Sequence, residues 1–415
     1  MSLPPGAPTP PAEAAGPTLA GRLSTYVRGG GVITPVITAL FAFFVGGLVV
    51  ALTGKNPLTT YQAFYNGTGL SWLLPWSGDR ELAAINLQQT LILTTPLILV
   101  GFAVAFAFRA GLFNIGGQGQ YSMGAIAAVY VGSSLEGLSP VLHVLLALVL
   151  GALAGGAWAG IAGLLRATVG ANEVISTIML NYIALWIGVY LLGQGGPLQN
   201  DTDPSLPVSN DIVRDARLPV FWGDAELQGL HVGLFIALAA GIVFWVLLNR
   251  SVKGYEARAV GFSPDAAAYG GINVGRTYFT VMATCGIFAG LAGAIDVLGW
   301  QFRIATNDIS GSQIGFLGIA VALLGRNTAV GTMLSALLFG ALLQGTSIRN
   351  LDPAVFEPAL AGNLTTIIQG LVVLFVSADV LVVYLYRLRR RGKGAPVEAP
   401  GSPVPPSISA TGGGG

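Results

Sequence analysis

Residues 111–120 read Gly-Leu-Phe-Asn-Ile-Gly-Gly-Gln-Gly-Gln, and residues 171–181 read Ala-Asn-Glu-Val-Ile-Ser-Thr-Ile-Met-Leu-Asn. On a soluble surface neither run would say much. Here both are set among long apolar stretches, at 87–108, 140–164 and 182–193. In a bilayer every amide and every main-chain polar group needs a partner or water. Uncharged amides interleaved with glycine at that depth point to a broken helix beside a polar path. The reading is transport rather than catalysis.

Composition agrees. Of 415 residues, 53% are hydrophobic and 9% charged, against about 25% charged in soluble domains. There are too few charges to coat a soluble globule. The net charge of +1 offers no footprint for nucleic acid. The 59 glycines follow no triplet period, so they suit close helix packing in lipid better than a collagen or linker role.

Working outward, apolar segments lie at 32–52, 87–108, 111–133, 140–164, 174–193, 230–249, 278–299, 312–324, 329–346 and 363–386. The expected fold is all-α: a polytopic membrane protein of about ten transmembrane helices. The run at 32–52 is long for a signal peptide's apolar core and reaches about 30 Å as a helix, so it reads as the first span. With both termini cytoplasmic, fourteen of the 20 Lys and Arg residues fall on the inner side, Arg109, Arg166 and Arg326 in short connections among them. Trp72, Trp76, Trp222 and Trp300 fall near the outer boundary. The chain divides into a disordered cytoplasmic tail at 1–28, a membrane domain at 29–390 and a second disordered cytoplasmic tail at 391–415. The outer segment 194–229 carries Asp201, Asp203, Asp211, Asp215 and Asp224, which read as a solvated face or a docking surface for a soluble partner.

Cys285 is the sole cysteine, which rules out an intrachain disulfide; His143 and His231 fall near outer helix ends and read as interfacial polar residues. The sequence holds no Gly-x-x-x-x-Gly-Lys-Ser/Thr phosphate loop and no His-Glu-x-x-His. It also has no Ser/His/Asp set. No enzyme, metal site or cofactor is expected in this chain.

Candidate path residues are the amides Asn114, Gln118 and Gln120 of the first run and Asn172, Glu173 and Asn181 of the second. The uncharged amides of the first run suit a neutral hydroxylated ligand. They could equally satisfy main chain at a helix break, and Glu173 could serve the start of its helix. Asp296 is the acid deepest in a predicted span; it fits a functional group or one reaching outward to water. Small-residue stripes at Gly151/Gly155, Gly156/Gly160 and Gly286/Gly290 read as packing faces. In the inner loop 250–277, Ser263-Pro264-Asp265 predicts a helix start and Gly270-Gly271 its end. The short helix between them reads as a docking knob or a plain connector.

The 111–120 run, the 171–181 run and the 254–276 loop together resemble the inner-membrane permease subunits of bacterial ABC importers. The group is the one serving branched-chain amino acids, ribose and nucleosides, and the nucleoside and simple-sugar subgroup is the nearest. Gly-Leu-Phe-Asn-Ile-Gly and Ala-Asn-Glu-Val-Ile-Ser-Thr-Ile-Met-Leu-Asn carry the likeness, which spans about residues 30–390. Position 118 is Gln where many relatives have Glu. The resemblance implies a multi-pass protein of the bacterial cytoplasmic membrane. Its implied partners are a cytoplasmic ATPase that holds ATP and magnesium, a second related permease and an extracytoplasmic solute-binding lipoprotein. It also implies that Gly254, Glu256, Ala257, Gly261, Pro264, Ala266, Ala267, Ala268 and Gly271 belong to the segment on which the ATPase docks.

Overall fold

The structure is a computed structural model that describes residues 33–52, 54–74, 79–135, 137–224, 229–347 and the four positions 366, 367, 370 and 371. Both expected tails, most of the expected span at 363–386 and Trp76 lie outside the described residues. The described part is mostly helical: α1 (Ile33–Leu52), α2 (Pro57–Thr68), α3 (Arg80–Arg109), α4 (Gly117–Ser134), α5 (Pro140–Val169), α6 (Glu173–Leu192), α7 (Gly233–Arg250), α8 (Val252–Phe262), α9 (Pro264–Tyr269), α10 (Val274–Asp296), α11 (Thr306–Gly311), α12 (Ile314–Leu324) and α13 (Ala329–Gly345). The one strand pairing among the described residues joins β1 (Val220–Trp222) to β2 (Leu230–His231), antiparallel, in the outer segment.

Six of these stretches are long and apolar enough to cross a membrane: α3, α5, α6, α7, Val274–Gln301 and Thr306–Leu324. Helices also occupy the expected spans at 32–52, 111–133 and 329–346. Cap chemistry sets several ends. Pro140 opens α5, and the Asn172 side chain accepts from the Val174 and Ile175 amides at 2.9 and 3.3 Å. Asn273 does the same for Arg276 ahead of α10.

α3 and α10 form the buried centre, with α4, α5, α12 and α13 packed around them. Glycine makes the tightest of these contacts possible. A Cβ on Gly155 would lie 2.4 Å from the Gly286 carbonyl oxygen, and one on Gly290 2.4 Å from that of Gly151. The two small-residue stripes therefore face each other, and α5 and α10 touch backbone to backbone.

Connections assigned to one side of the membrane meet one another. On the side expected to be inner, Arg109 donates to the carbonyls of Asn327 (3.0 Å) and Arg326 (3.4 Å). On the side expected to be outer, Trp72 packs on Trp222 with centroids 5.0 Å apart, and the 194–232 segment bonds along the end of α10 through Leu218 to Leu298, Ile212 to Phe302 and Ser209 to Ile304. All five aspartates of that segment are exposed.

Two expectations are corrected. His143 and His231 are buried, not interfacial: the ring of His143 bonds the Val131 carbonyl at 2.9 Å, and His231 Nδ1 accepts from Gly233 at 3.2 Å. Each sits where an outer connection folds over a helix end, which hydropathy alone does not register. The second concerns the inner loop, where only one short helix is expected but α8 is also helical. Its internal glycines lower helix propensity, and the Ser251 cap on Gly254 (2.9 Å) together with packing on α7 outweighs that.

Candidate functional site

The break between α3 and α4 holds the first amide run. Arg109 ends α3, Gly111 turns at φ 69°, and Leu112 bonds back to Ala107 at 3.0 Å. Asn114 and Gln120 are buried and pair reciprocally, Nδ2 to Oε1 at 3.0 Å and Nε2 to Oδ1 at 2.8 Å. Asn114 Oδ1 also accepts from the Gly116 amide at 3.0 Å. From α6, Asn181 reaches across, accepting from Gly119 at 2.8 Å and donating to the Ile115 carbonyl at 2.9 Å. Asn114 and Asn181 satisfy main chain that the interrupted helix leaves without partners, and Gln120 holds Asn114 in place.

Gln118 behaves differently. Its Oε1 accepts from the Gly315 amide at 3.1 Å and the Ser312 hydroxyl at 3.5 Å, at a second break, between α11 and α12. Its Nε2 is buried without a hydrogen-bond partner, as is Trp158 Nε1, which lies against Gly119. Two interrupted helices thus meet at Gln118, an arrangement that in membrane transporters accompanies a path for polar solutes. Ser312 and Trp158 are not among the residues singled out from sequence; Gly311-Ser312-Gln313 ahead of a short apolar run was the only signal for the first, and nothing marks the second.

Other candidates stand apart from this centre. Asn172 caps α6, while Glu173 pairs with Arg166 at 3.5 Å, so the cap is the amide and the carboxylate ties α6 to α5. Asp296 is buried rather than reaching water: the Tyr121 hydroxyl, Trp300 Nε1 (2.6 Å) and Gln301 Nε2 (3.4 Å) all donate to it. The helix continues past it as a π-helical turn, Val297–Gln301.

The inner segment is built as two caps in series. Ser251 starts α8, and Ser263 starts α9 by accepting from Ala266 at 3.3 Å, with Pro264 in the first turn. Gly270 and Gly271 close α9, the latter at φ 84°. The candidate coupling residues divide between two faces. Gly254, Ala257 and Ala267 are buried, and Glu256 pairs with Lys253 at 2.8 Å. Pro264, Ala266 and Ala268 are exposed, flanked by two aromatic rings left almost wholly open, Phe262 at 90% and Tyr269 at 94%. Phe262 is missing from the sequence-based reading, which followed the small residues, whereas Tyr269 falls within the short helix expected there.

Residues 86–377 match the family described as Branched-chain amino acid transport system / permease component. The chain belongs to that family. Among similar proteins is the guanosine ABC transporter permease protein NupP of Bacillus subtilis, 36% identical over 87% of this chain and 97% of the relative. The nucleoside ABC transporter permease protein NupB of Lactococcus lactis is 30% identical over 85% and 92% respectively. The glucose ABC transporter permease protein TsgB13 of Haloferax volcanii is 33% identical over 89% and 93%. No solved structure matches. The chain is a multi-pass membrane permease subunit.

Proposed function

We propose that this permease carries nucleosides inward across the bacterial cytoplasmic membrane as part of an ATP-driven importer. The observation that carries the proposal is α9: a capped helix on the inner side, with Phe262 and Tyr269 exposed beside it, in a chain that has no phosphate-binding loop of its own. Such a helix suits docking on a separate ATPase, which would hold ATP and magnesium. Full-length similarity to permeases named for guanosine and nucleosides supports the cargo. The likeness of the chain both to NupP and to a second guanosine permease of the same organism, NupQ, supports a heterodimer of related permeases. A solute-binding lipoprotein would deliver cargo to the outer segment. The arrangement would comprise about ten crossings with both termini cytoplasmic, and the path would run beside Gln118 where the two helix breaks meet.

Simple sugars are the second reading, favoured by the similarity to the glucose permease. Uptake of labelled guanosine and uridine, compared in cells with and without this gene, separates the two. Gene-dependent uptake that stops when ATP is depleted and resists excess ribose supports nucleosides. Uptake of ribose or glucose alone moves the cargo to sugars. Uptake that ignores ATP and collapses with the proton gradient would overturn the importer reading.

A further inference from the structure

The family resemblance assigns Gly261 to the ATPase-docking segment, yet its geometry points elsewhere. A Cβ on Gly261 would lie 2.8 Å from the Arg109 carbonyl oxygen and from the Ala110 carbonyl carbon, closer than side-chain carbons approach main chain. From the other side, a Cβ on Gly111 would lie 3.0 Å from Gly261 Cα. The end of α8 and the corner after α3 therefore meet backbone to backbone, each open to solvent on its far side.

Both partners in this contact are stiffly mounted. α8 is fixed to the end of α7: Ser251 Oγ donates to the Leu247 carbonyl at 2.6 Å, Arg258 donates to the Leu248 carbonyl, and Gly254 packs on both carbonyls. The corner is fixed through Arg109 to the turn between α12 and α13. That turn holds Arg326 and Asn327 at φ 53° and 54°, a conformation kept only where surrounding contacts enforce it. Three residues beyond Gly111 stands Asn114, the buried hub of the first helix break.

We infer that Gly261 is a positioning residue for translocation: it bears on Ala110–Gly111, so that movement imposed on α9 passes through this contact to the break at Asn114–Gln120. The inference rests on the ATP-driven reading above. A gap or a flexible linker at this place would let α9 move without the break. Two glycines in contact let main chain push on main chain, with no side chain between them to rotate away.

The test uses the assembled transporter with the full chain in membrane vesicles. Cys285 is buried, so Phe113→Cys supplies the accessible thiol. Phe113 is 38% exposed in the connection, with its ring edge-on to Phe108. Its alkylation by a soluble maleimide is timed with and without a non-hydrolysable ATP analogue, with Gly261 intact and with Gly261→Ala. With Gly261 intact the analogue is expected to change the rate about fivefold or more, and in Gly261→Ala the change is expected to shrink below about twofold while the ATPase still co-purifies. No nucleotide-dependent change with Gly261 intact overturns the relay, however the alanine variant folds. A change that persists in Gly261→Ala overturns it too, and loss of the ATPase from that variant would instead make Gly261 part of the docking surface. The readout needs no cargo, so vesicles that respond to nucleotide but take up no nucleoside would remove the cargo assignment and leave the relay standing.

Discussion

The Tyr121 hydroxyl donates to the carboxylate of Asp296, joining α4 to α10 across 175 residues of sequence inside the membrane domain. Trp300 and Gln301, on the π-helical turn just beyond, donate to the same carboxylate. Three donors converge on this buried carboxylate, and replacing it separates a structural role from proton transfer. Asp296→Asn keeps the shape but turns one acceptor into a donor facing Tyr121. The expected result is a loss of about 1–3 kcal/mol of stability, seen as a lower melting temperature, with ATP-driven uptake retained. A folded Asp296→Asn protein without uptake, beside a wild type stopped by a protonophore, would restore a proton-coupled mechanism.

The α5–α10 contact gives a prediction about assembly. Gly290 has no room for a side chain, since a Cβ would meet the Gly151 oxygen at 2.4 Å and Gly155 Cα at 2.9 Å. Gly290→Leu should separate the two helices, at more than the roughly 1–3 kcal/mol typical of overpacking because the obstacle is main chain. Detergent-solubilised variant is expected to aggregate on size exclusion. Gly170→Ala is the control for glycine replacement as such: its Cβ meets nothing, and only the left-handed backbone at φ 67° opposes it.

How much of this was legible in the sequence depends on how local the cause is. The start of α9 could be read because Ser263-Pro264 acts on its own next turn. The stripes at Gly151/Gly155 and Gly286/Gly290 announced packing faces, but not that each is the other's partner. The burial of Asp296 could not be read, because Tyr121, one of its donors, is remote in sequence and its own position suggested access to water. Gly261 likewise looked like one more small residue in a docking loop; its contact with Gly111 exists only once α3 and α8 are side by side.

His231 supplies a pH dependence. It stands in β2, ahead of α7 and outside the membrane-spanning helices. Burial pushes its imidazole down to about 4 from 6.5. Its Nε2 is buried without a partner, against Gly299. As pH falls through about 6.5 the unfolded chain takes the proton first, so stability declines until the folded form protonates near 4 and is level below that. The total is about 3 kcal/mol at most. Melting temperature measured from pH 7.5 to 4 should fall across this window, and less steeply in His231→Gln. An identical slope in the variant would move the effect to other groups.

The two exposed rings beside α9 make the docking assignment testable without touching its fold. Phe262→Ala with Tyr269→Ala removes apolar surface that only a partner could cover, and large aromatic side chains commonly dominate such interfaces. Co-purification of the ATPase is expected to drop about tenfold or more, with the melting temperature of the permease unchanged. Ala267→Arg is a poorer test, because Ala267 faces inward and the variant would disturb α9 itself. Full co-purification with both rings removed would place docking elsewhere on the inner face.

Gln118 ties the two helix breaks, and its two ends predict different outcomes. Oε1 serves Gly315 and Ser312; Nε2 has no partner. Gln118→Leu leaves the Gly315 amide without an acceptor, a loss of about 1–3 kcal/mol, and uptake should fall with stability. Gln118→Glu keeps both acceptor contacts and replaces the unpartnered donor with a carboxyl oxygen, whose charge is opposed by burial and favoured by the Gly315 and Ser312 donors, so it should still fold. If Nε2 contacts cargo in the open path, Gln118→Glu will raise the KM for nucleoside while leaving ATP hydrolysis coupled. If uptake kinetics are unchanged in Gln118→Glu, this side chain fastens the breaks together and the cargo passes elsewhere.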